Sequence, residues 1–245
     1  MLFISAGMQK SGSAYFYNVI NEIIAETGRG KDARKIKNDR NLDDLMKMYN
    51  NNIGHLTLAK LIILWRISIQ DGTFVVKTHS GPTLPARILS KLGLLRIVYC
   101  FRDPRDVLLS TIDHGKKILD SGEYHTFASM VDFDKALQNV RAWLGIWKRY
   151  ADMPEVLTVK YEEMIQDPVT VTKKIEEFLG VSVNPAKRQE ILWKFSKDNS
   201  DGDRRGMHFN KAKIFRYKTE MTEGQKVKCG AEFGDYLKAM DYDVG

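Results

Sequence analysis

Short apolar runs alternate along the chain with longer segments in which apolar residues recur at helical spacing. The first run, Leu2-Phe3-Ile4, leads into Ser5-Ala6-Gly7 and predicts a buried strand that runs into a turn. Further runs predict strands at residues 73–77, 96–101 and 156–159. Helical periodicity predicts a helix from Ser13, and others at residues 56–69, 85–94, 131–150, 168–179, 184–195 and from about Thr222 onward.

Buried strands that alternate with helices are typical of an α/β fold, in which helices cover both faces of a mainly parallel sheet. We therefore expect one three-layer domain over residues 1–245, a length that is common for a single α/β domain. Ligands of such sheets bind beyond the carboxyl ends of the strands. The residues that follow predicted strand ends are Lys10, His79, Arg102 and Tyr161, and we expect them to share one site.

The loop Gly7-Met8-Gln9-Lys10-Ser11-Gly12 connects the first predicted strand to the first helix. Such a loop directs backbone N–H groups and the positive end of the helix dipole at one point, which favours a phosphate. Its glycines lack the Cβ atoms that would block a close approach or a positive φ. The alternative is a tight strand–helix turn without a ligand. The loop is not a Walker A sequence, because Ser13 and Ala14 follow Gly12 in place of Lys and Ser or Thr.

Composition narrows the class of protein only slightly. The net charge of +7 suits a polyanionic substrate or a nucleic acid, and it is also ordinary for a mildly basic enzyme. No RNA-binding signature or zinc-ligand spacing is present, so we expect no nucleic-acid partner. The chain has 2 cysteines, no apolar run of transmembrane length and no cleavable leader, which favours a cytoplasmic protein without a membrane partner.

Candidate catalytic groups follow the second predicted strand in the sequence Lys77-Thr78-His79. A neutral imidazole, whose ordinary pKa is about 6.5, can accept a proton from a hydroxyl group at neutral pH. Lys10 and Lys77 are cations that could hold charge developing on the oxygens of a transferred group. The alternative for His79 is a purely structural role.

The sequence KSGSAY at residues 10–15 resembles the 5′-phosphosulfate loop of the sulfotransferases that use 3′-phosphoadenosine 5′-phosphosulfate (PAPS), whose usual form is KSGTTW. The residues that match are Lys10, Ser11, Gly12 and Ser13. Ala14 replaces a hydroxyl residue, which removes one possible phosphate contact. Tyr15 replaces a tryptophan that lies by the adenine, and so keeps an aromatic ring there.

The segments VVKTH and VYCFRDPRDVLLS are similar to two more parts of that family. The first resemblance makes His79 the catalytic base and places Lys77 near the transferred sulfuryl group. The second implies that Arg102 and Ser110, eight residues apart, hold the 3′-phosphate. A salt bridge to Asp103 or Asp106 is the alternative role for Arg102.

Three aromatic and basic residues nearer the C-terminus complete the resemblance. The segment VLTVKYEEMIQDP resembles the one whose tyrosine reaches the adenine side, here Tyr161, for which a core position is the alternative. Phe195 is the candidate for a second aromatic ring against adenine. Lys211 matches a lysine that binds the 3′-phosphate, but Asn210 and Ala212 replace the family's arginine and glycine. Arg204, Arg205 or Lys213 could compensate for these replacements.

The resemblance extends from residue 7 to about residue 222 and implies the P-loop-NTPase-like sulfotransferase fold. It implies transfer of a sulfuryl group from PAPS to a hydroxyl, less readily an amine, of a small-molecule acceptor, with 3′,5′-ADP (PAP) as product and no metal. The alternative is a P-loop kinase, which would need Mg²⁺. Neither the acceptor nor the oligomeric state follows from the sequence. The polar stretches 27–52, 115–130 and 196–213, with Tyr124 and Phe127, are expected to line the acceptor pocket, and residues 115–130 are expected to be a loop. His114 and His125 are expected in loops or on the surface.

Overall fold

The computed structural model describes residues 1–47, 51–122, 126–199 and 213–244. These residues form two compact units. The first consists of residues 1–8, 12–47, 51–101 and 146–199, and the second of residues 9–11, 102–122, 126–145 and 213–244. The expectation of a single domain over residues 1–245 stays a prediction.

The first unit contains a parallel sheet of four strands among its described residues, in the order β2-β1-β3-β4. The strands are β1 (Leu2–Gly7), β2 (Phe74–Thr78), β3 (Leu95–Phe101) and β4 (Val156–Lys160). Every residue of β1 and β2 is buried, because helices cover both faces, and this explains why the strands are continuous apolar runs. The register pairs Ala6 with Thr78 and Gly7 with Cys100, so the carboxyl ends of β1, β2 and β3 lie side by side.

The described residues form eleven α-helices, which include each of the seven that helical periodicity predicted. In chain order they are α1 (Ser13–Ala25), α2 (Ala33–Asp39), α3 (Leu58–Gln70), α4 (Leu84–Lys91), α5 (Pro104–Ser121), α6 (Phe133–Ala151), α7 (Tyr161–Gln166), α8 (Pro168–Leu179), α9 (Pro185–Lys194), α10 (Tyr217–Glu220) and α11 (Glu223–Ala239). The connections from β1 to β2 and from β2 to β3 cross the sheet in opposite directions. Helix α1 packs against β1, β2 and β3, and helix α4 packs against β3. The α/β fold with a parallel central sheet is therefore confirmed.

The second unit differs from the prediction in one segment, residues 115–130, which was expected to be a polar loop. Helix α5 continues to Ser121 and ends at Gly122, whose φ of 71° is left-handed. A 3-10 helix then covers Thr126–Val131. Ile118 lies on the buried face of α5, and the Cβ of an alanine at Gly115 would stand 2.6 Å from the carbonyl oxygen of Phe127. The polar sequence is thus the solvent-facing side of a helix, and the loop expectation was wrong.

Candidate active site

The predicted phosphate loop has the backbone that its glycines suggested. An added Cβ at Gly7 would stand 2.4 Å from Cys100 Sγ, so only glycine allows β1 and β3 to pair this closely there. Gly12 has a φ of 75°, and an added Cβ would stand 2.6 Å from two ring carbons of Tyr161. Both expectations, a close approach and a positive φ, are confirmed.

Gly12 is also the N-cap residue of α1 and, being glycine, has no side chain with which to cap this helix end. The ladder of helical hydrogen bonds begins where the Phe16 N–H donates to the Gly12 carbonyl at 3.2 Å. The N–H groups of the first turn, which starts with Ser13 and Ala14, therefore have no capping side chain from Gly12. Such a helix N-terminus attracts an anion, because its N–H groups and the helix dipole point outward.

Alanine at Gly12 should destabilise the first unit. A non-glycine residue in the left-handed region costs roughly 1–2 kcal/mol, and displacing the Tyr161 ring adds to this cost. Urea unfolding followed by circular dichroism measures the change. Gly145 is the matched control, because it lies inside α6 with open space around its Cα, so alanine there should stabilise by about 0.5–1 kcal/mol. If both variants shifted the midpoint in the same direction, the explanation for Gly12 would be wrong.

Two of the residues predicted to contact adenine, Tyr161 and Tyr15, lie near the N-terminus of α1, where Gly12 is the N-cap residue. Tyr161 is the first residue of α7, is buried, and places its ring over Gly12. Tyr15 is also buried; its pKa is raised to about 12, chiefly by burial and secondarily by Tyr161. Phe195 follows α9 and is fully buried, so its ring is not presented to solvent as a base-stacking ring would be. Its contact with adenine stays a prediction.

His79 has a defined partner at each ring nitrogen. Nδ1 lies 2.8 Å from the carbonyl oxygen of Gly7, and since a carbonyl only accepts, Nδ1 carries the proton and donates it. In the neutral ring, Nε2 is then the acceptor, and Lys77 Nζ lies 2.6 Å from it. The neighbouring ends of β1 and β2 therefore hold the imidazole in the form in which Nε2 can accept a proton.

Lys77 is the second predicted catalytic group of the first unit, and only 2% of its surface is exposed. Burial lowers the pKa of Lys77 to about 8, which Cys100 opposes weakly. The amine therefore remains mostly charged near pH 7 and loses its charge as the pH rises through about 8. The structure thus brings Lys77 and His79 together, as a cation and a base at the end of one strand.

Lys10 belongs to the second unit and has aromatic and charged neighbours there. Its φ of 62° is left-handed, and its Nζ lies 5.6 Å from the centroid of the Phe127 ring, in range of a cation–π contact. The pKa of Lys10 is lowered to about 8, first by burial and then by the charges of Lys117 and Arg102, while Asp113 opposes the shift. Lys10 is therefore a cation whose charge depends on pH in the neutral to alkaline range.

The neighbours of Lys10 were only partly foreseen. Phe127, a predicted pocket residue, contacts the His114 ring edge-on with the centroids 4.9 Å apart. His114 was expected in a loop or on the surface, but it lies in α5 and is half-buried. Asp113 and Lys117 were not singled out at all, because the segment that carries Lys117 was read as a loop. Helical spacing through residue 121 was the signal that would have found them.

Arg102 and Ser110, the predicted 3′-phosphate residues, are both buried in the second unit. The Arg102 guanidinium donates to Asp106 Oδ2 at 3.0 Å and to the Lys213 carbonyl at 2.6 Å. The salt bridge that the sequence left open therefore forms, and its partner is Asp106. Burial raises the pKa of Asp106, against the effect of the nearby guanidinium. Ser110 lies one turn further along α5 than Asp106.

Several predicted residues lie outside the described part of the chain. These are Tyr124 and His125, and the C-terminal group Arg204, Arg205, Asn210, Lys211 and Ala212. Their roles stay predictions. No helix in the described ranges is both long enough and apolar enough to cross a membrane.

A comparison with protein families assigns the class. The family model of the sulfotransferase domain matches residues 2–241, so the chain belongs to the sulfotransferase family. It is 32% identical to luciferin sulfotransferase of Photinus pyralis over 139 residues, which cover 55% of this chain and 37% of that one. It is 27% identical to 3-beta-hydroxysteroid sulfotransferase of Cavia porcellus over 153 residues, or 54% of this chain and 52% of that one. The chain thus spans about half the length, or less, of these curated relatives.

Solved structures confirm the fold. Mouse sulfotransferase SULT7A1, crystallised with PAP, superposes with a TM-score of 0.63 over 96% of this chain and 84% of its own, at 18% identity. Retinol dehydratase in complex with androsterone and PAP gives a TM-score of 0.63 over 99% of this chain and 81% of its own, at 19% identity. The fold is therefore that of the sulfotransferases, as the sequence resemblance implied.

Proposed function

We propose that the chain transfers the sulfuryl group of PAPS to a hydroxyl group, less readily an amine, of a small molecule, with His79 as the general base. One observation carries the proposal: the Gly7 carbonyl holds Nδ1 of His79, which leaves Nε2 as the proton acceptor. Membership of the sulfotransferase family supports the reaction type. The named relatives act on luciferin and on a hydroxysteroid, which supports a small-molecule acceptor.

In the proposed reaction the acceptor oxygen attacks the sulfur of PAPS while its proton moves to His79 Nε2. The bond between sulfur and the bridging oxygen breaks, and 3′,5′-ADP leaves with the electron pair of that bond. Lys10 and Lys77 stabilise the negative charge that develops on the bridging and peripheral oxygens. Lys77 donates to Nε2 at 2.6 Å, so its ammonium has to release this lone pair when the acceptor binds. The expectation that no metal takes part stays a prediction.

The nucleotide is assigned to the residues that the family resemblance implies. The loop Lys10-Ser11-Gly12-Ser13 and the N–H groups of the first turn of α1 take the 5′-phosphosulfate, because the N-cap residue Gly12 offers no capping side chain. Tyr15 and Tyr161 take the adenine side. Arg102, Ser110 and Lys211 take the 3′-phosphate; Arg102 then exchanges at least one of its present acceptors for a phosphate oxygen.

The 3′-phosphate should dominate the choice of nucleotide. Hydrogen bonds to a charged group contribute about 1.5–3 kcal/mol, so 3′,5′-ADP should bind about 10- to 100-fold more tightly than 5′-AMP. Isothermal titration calorimetry at one fixed salt concentration measures both affinities. Ser110→Ala should reduce the preference. Ser90→Ala should not, because the Ser90 hydroxyl in α4 is buried without a hydrogen-bond partner among the described residues. Equal affinity for the two nucleotides would contradict the assignment of Arg102, Ser110 and Lys211 to the 3′-phosphate.

Transfer itself is tested with PAPS labelled in the sulfuryl group. A panel of luciferin and hydroxysteroids covers the acceptors that appear in the names of the two relatives, and simple phenols and flavonols extend it. We expect label to pass to at least one of these compounds in a reaction that depends on enzyme and PAPS. Binding of 3′,5′-ADP without transfer to any acceptor would instead indicate a nucleotide-binding module.

A further inference from the structure

The residue that follows His79 is Ser80, and both its backbone N–H and its backbone carbonyl form hydrogen bonds with side chains. The Ser80 N–H donates to Thr78 Oγ1 at 2.9 Å, and the Ser80 carbonyl accepts from the hydroxyl of Tyr150 at 2.9 Å. Thr78 Oγ1 in turn donates to the Gly54 carbonyl at 2.7 Å. The backbone on the carboxyl side of His79 is therefore fixed by two side chains, one of which comes from a distant part of the sequence.

Tyr150 is well anchored for this role. It lies near the end of α6 with 0% of its surface exposed, and its ring packs on that of Tyr99 in β3 with the centroids 4.7 Å apart. Burial also raises the pKa of Tyr150, so its hydroxyl keeps the proton that it donates to Ser80. The Tyr150 ring thus packs between α6 and the sheet, and its hydroxyl donates one hydrogen bond to the turn that follows β2.

The same turn of α6 contacts the next residue of the loop. An added Cβ at Gly81 would stand 2.1 Å from a guanidinium nitrogen of Arg149. The Arg149 carbonyl also accepts a hydrogen bond at 3.1 Å from Arg87, a residue of α4. Two successive residues of α6 therefore contact two successive residues of the loop between β2 and α4, directly after His79.

We propose that Tyr150 is a positioning residue for His79, a role that rests on the proposed function of His79 as the base. By fixing the Ser80 carbonyl, Tyr150 restricts the backbone at His79. This restriction keeps Nδ1 at the Gly7 carbonyl, and Nε2 then has one direction in which to accept a proton. Nothing in the motif KTH points to this residue, because Tyr150 is 70 positions away from Ser80.

Replacing Tyr150 by phenylalanine removes one hydroxyl and keeps the ring. Since misplacing a catalytic group by about 1 Å can cost about 100-fold in rate, we expect kcat to fall about 10- to 100-fold. The KM for PAPS and the affinity for 3′,5′-ADP should not change, because no nucleotide residue is altered. Tyr99→Phe is the matched control: its hydroxyl is buried beside Tyr150 but has no hydrogen-bond partner among the described residues. That variant should keep the wild-type kcat.

A second readout needs neither acceptor nor turnover. Nitrogen-15 NMR of labelled His79 reports which ring nitrogen carries the proton at a pH where the ring is neutral. We expect the Nδ1–H form in the wild type and in Tyr99→Phe, and a mixture of both forms in Tyr150→Phe. An unchanged tautomer in Tyr150→Phe, or an equal loss of kcat in Tyr99→Phe, would overturn the positioning role. A changed tautomer in a protein that transfers no sulfuryl group would support the positioning role while the proposed function fails.

Discussion

Replacing His79 by alanine should lower kcat about 10²- to 10⁴-fold, the range that a positioned general base contributes. The loss falls on the chemical step, because Nε2 is the proposed proton acceptor and its partner nitrogen is held by Gly7. The affinity for 3′,5′-ADP, measured by calorimetry, should stay at the wild-type value, because the proposed nucleotide contacts remain. Steady-state kinetics with saturating PAPS give kcat for both proteins.

His55 provides the matched control for the loss of an imidazole. It is exposed on the first unit, so His55→Ala should leave both kcat and nucleotide affinity unchanged. Turnover of His79→Ala at the wild-type rate would remove His79 from the role of base. A loss of nucleotide affinity in that variant would show instead that the histidine supports binding.

The second large effect is expected at Lys10. Removing one preorganised electrostatic contact to developing charge typically costs about 10²- to 10³-fold in kcat, so Lys10→Met should fall in that range. Methionine keeps the length and apolar contact of the side chain at Phe127 but carries no charge. Lys10→Arg keeps a cation at the same place and should retain more activity than the methionine variant. Equal activity in both variants would mean that the charge of Lys10 is not used.

Lys10 also predicts a dependence on pH whose sign is fixed by its charge. Its pKa is lowered to about 8, so a lysine that acts as a cation loses its effect as the pH rises through that value. Lys77 has a similar pKa, so activity should fall on the alkaline side of about pH 8. The variant Lys117→Met distinguishes the contribution of Lys10 from that of Lys77. Because the charge of Lys117 lowers the pKa of Lys10, its removal should shift the loss of activity at alkaline pH to a higher pH. If the pH dependence of activity did not change in that variant, the loss of activity at alkaline pH would be due to Lys77 alone.

Much of the fold followed from the sequence because the sheet is parallel and covered on both faces. Strands in such a sheet are continuous apolar runs, and glycine or polar residues mark their ends. The strands found at residues 2–7, 74–78, 95–101 and 156–160 lie at the predicted runs. The prediction of a loop at residues 115–121 was wrong because this stretch has only one buried apolar side chain, Ile118, which follows a glycine and two lysines.

The partner of Arg102 shows why a motif does not fix contacts. The sequence offers two carboxylates, Asp103 and Asp106, at short distances along the chain. In the structure Asp103 is the N-cap of α5 and is held by the backbone and guanidinium of Arg105. Asp106, one helical turn after Arg102, is left to form the salt bridge. Which of the two aspartates pairs with Arg102 depends on the residue at which α5 begins, and the type of a single residue does not determine that position.

The amino-acid sequence alone determined the parallel sheet, the glycine loop and the family, because these depend on local periodicity and on short contiguous motifs. Only the tertiary structure decided which nitrogen of His79 carries its proton, since the deciding carbonyl, that of Gly7, is 72 positions away. It likewise supplied Tyr150, from helix α6, as a support for the turn after His79. Parallel strands bring their ends together only after long crossovers, so contacts of this kind are set by the packing of the sheet.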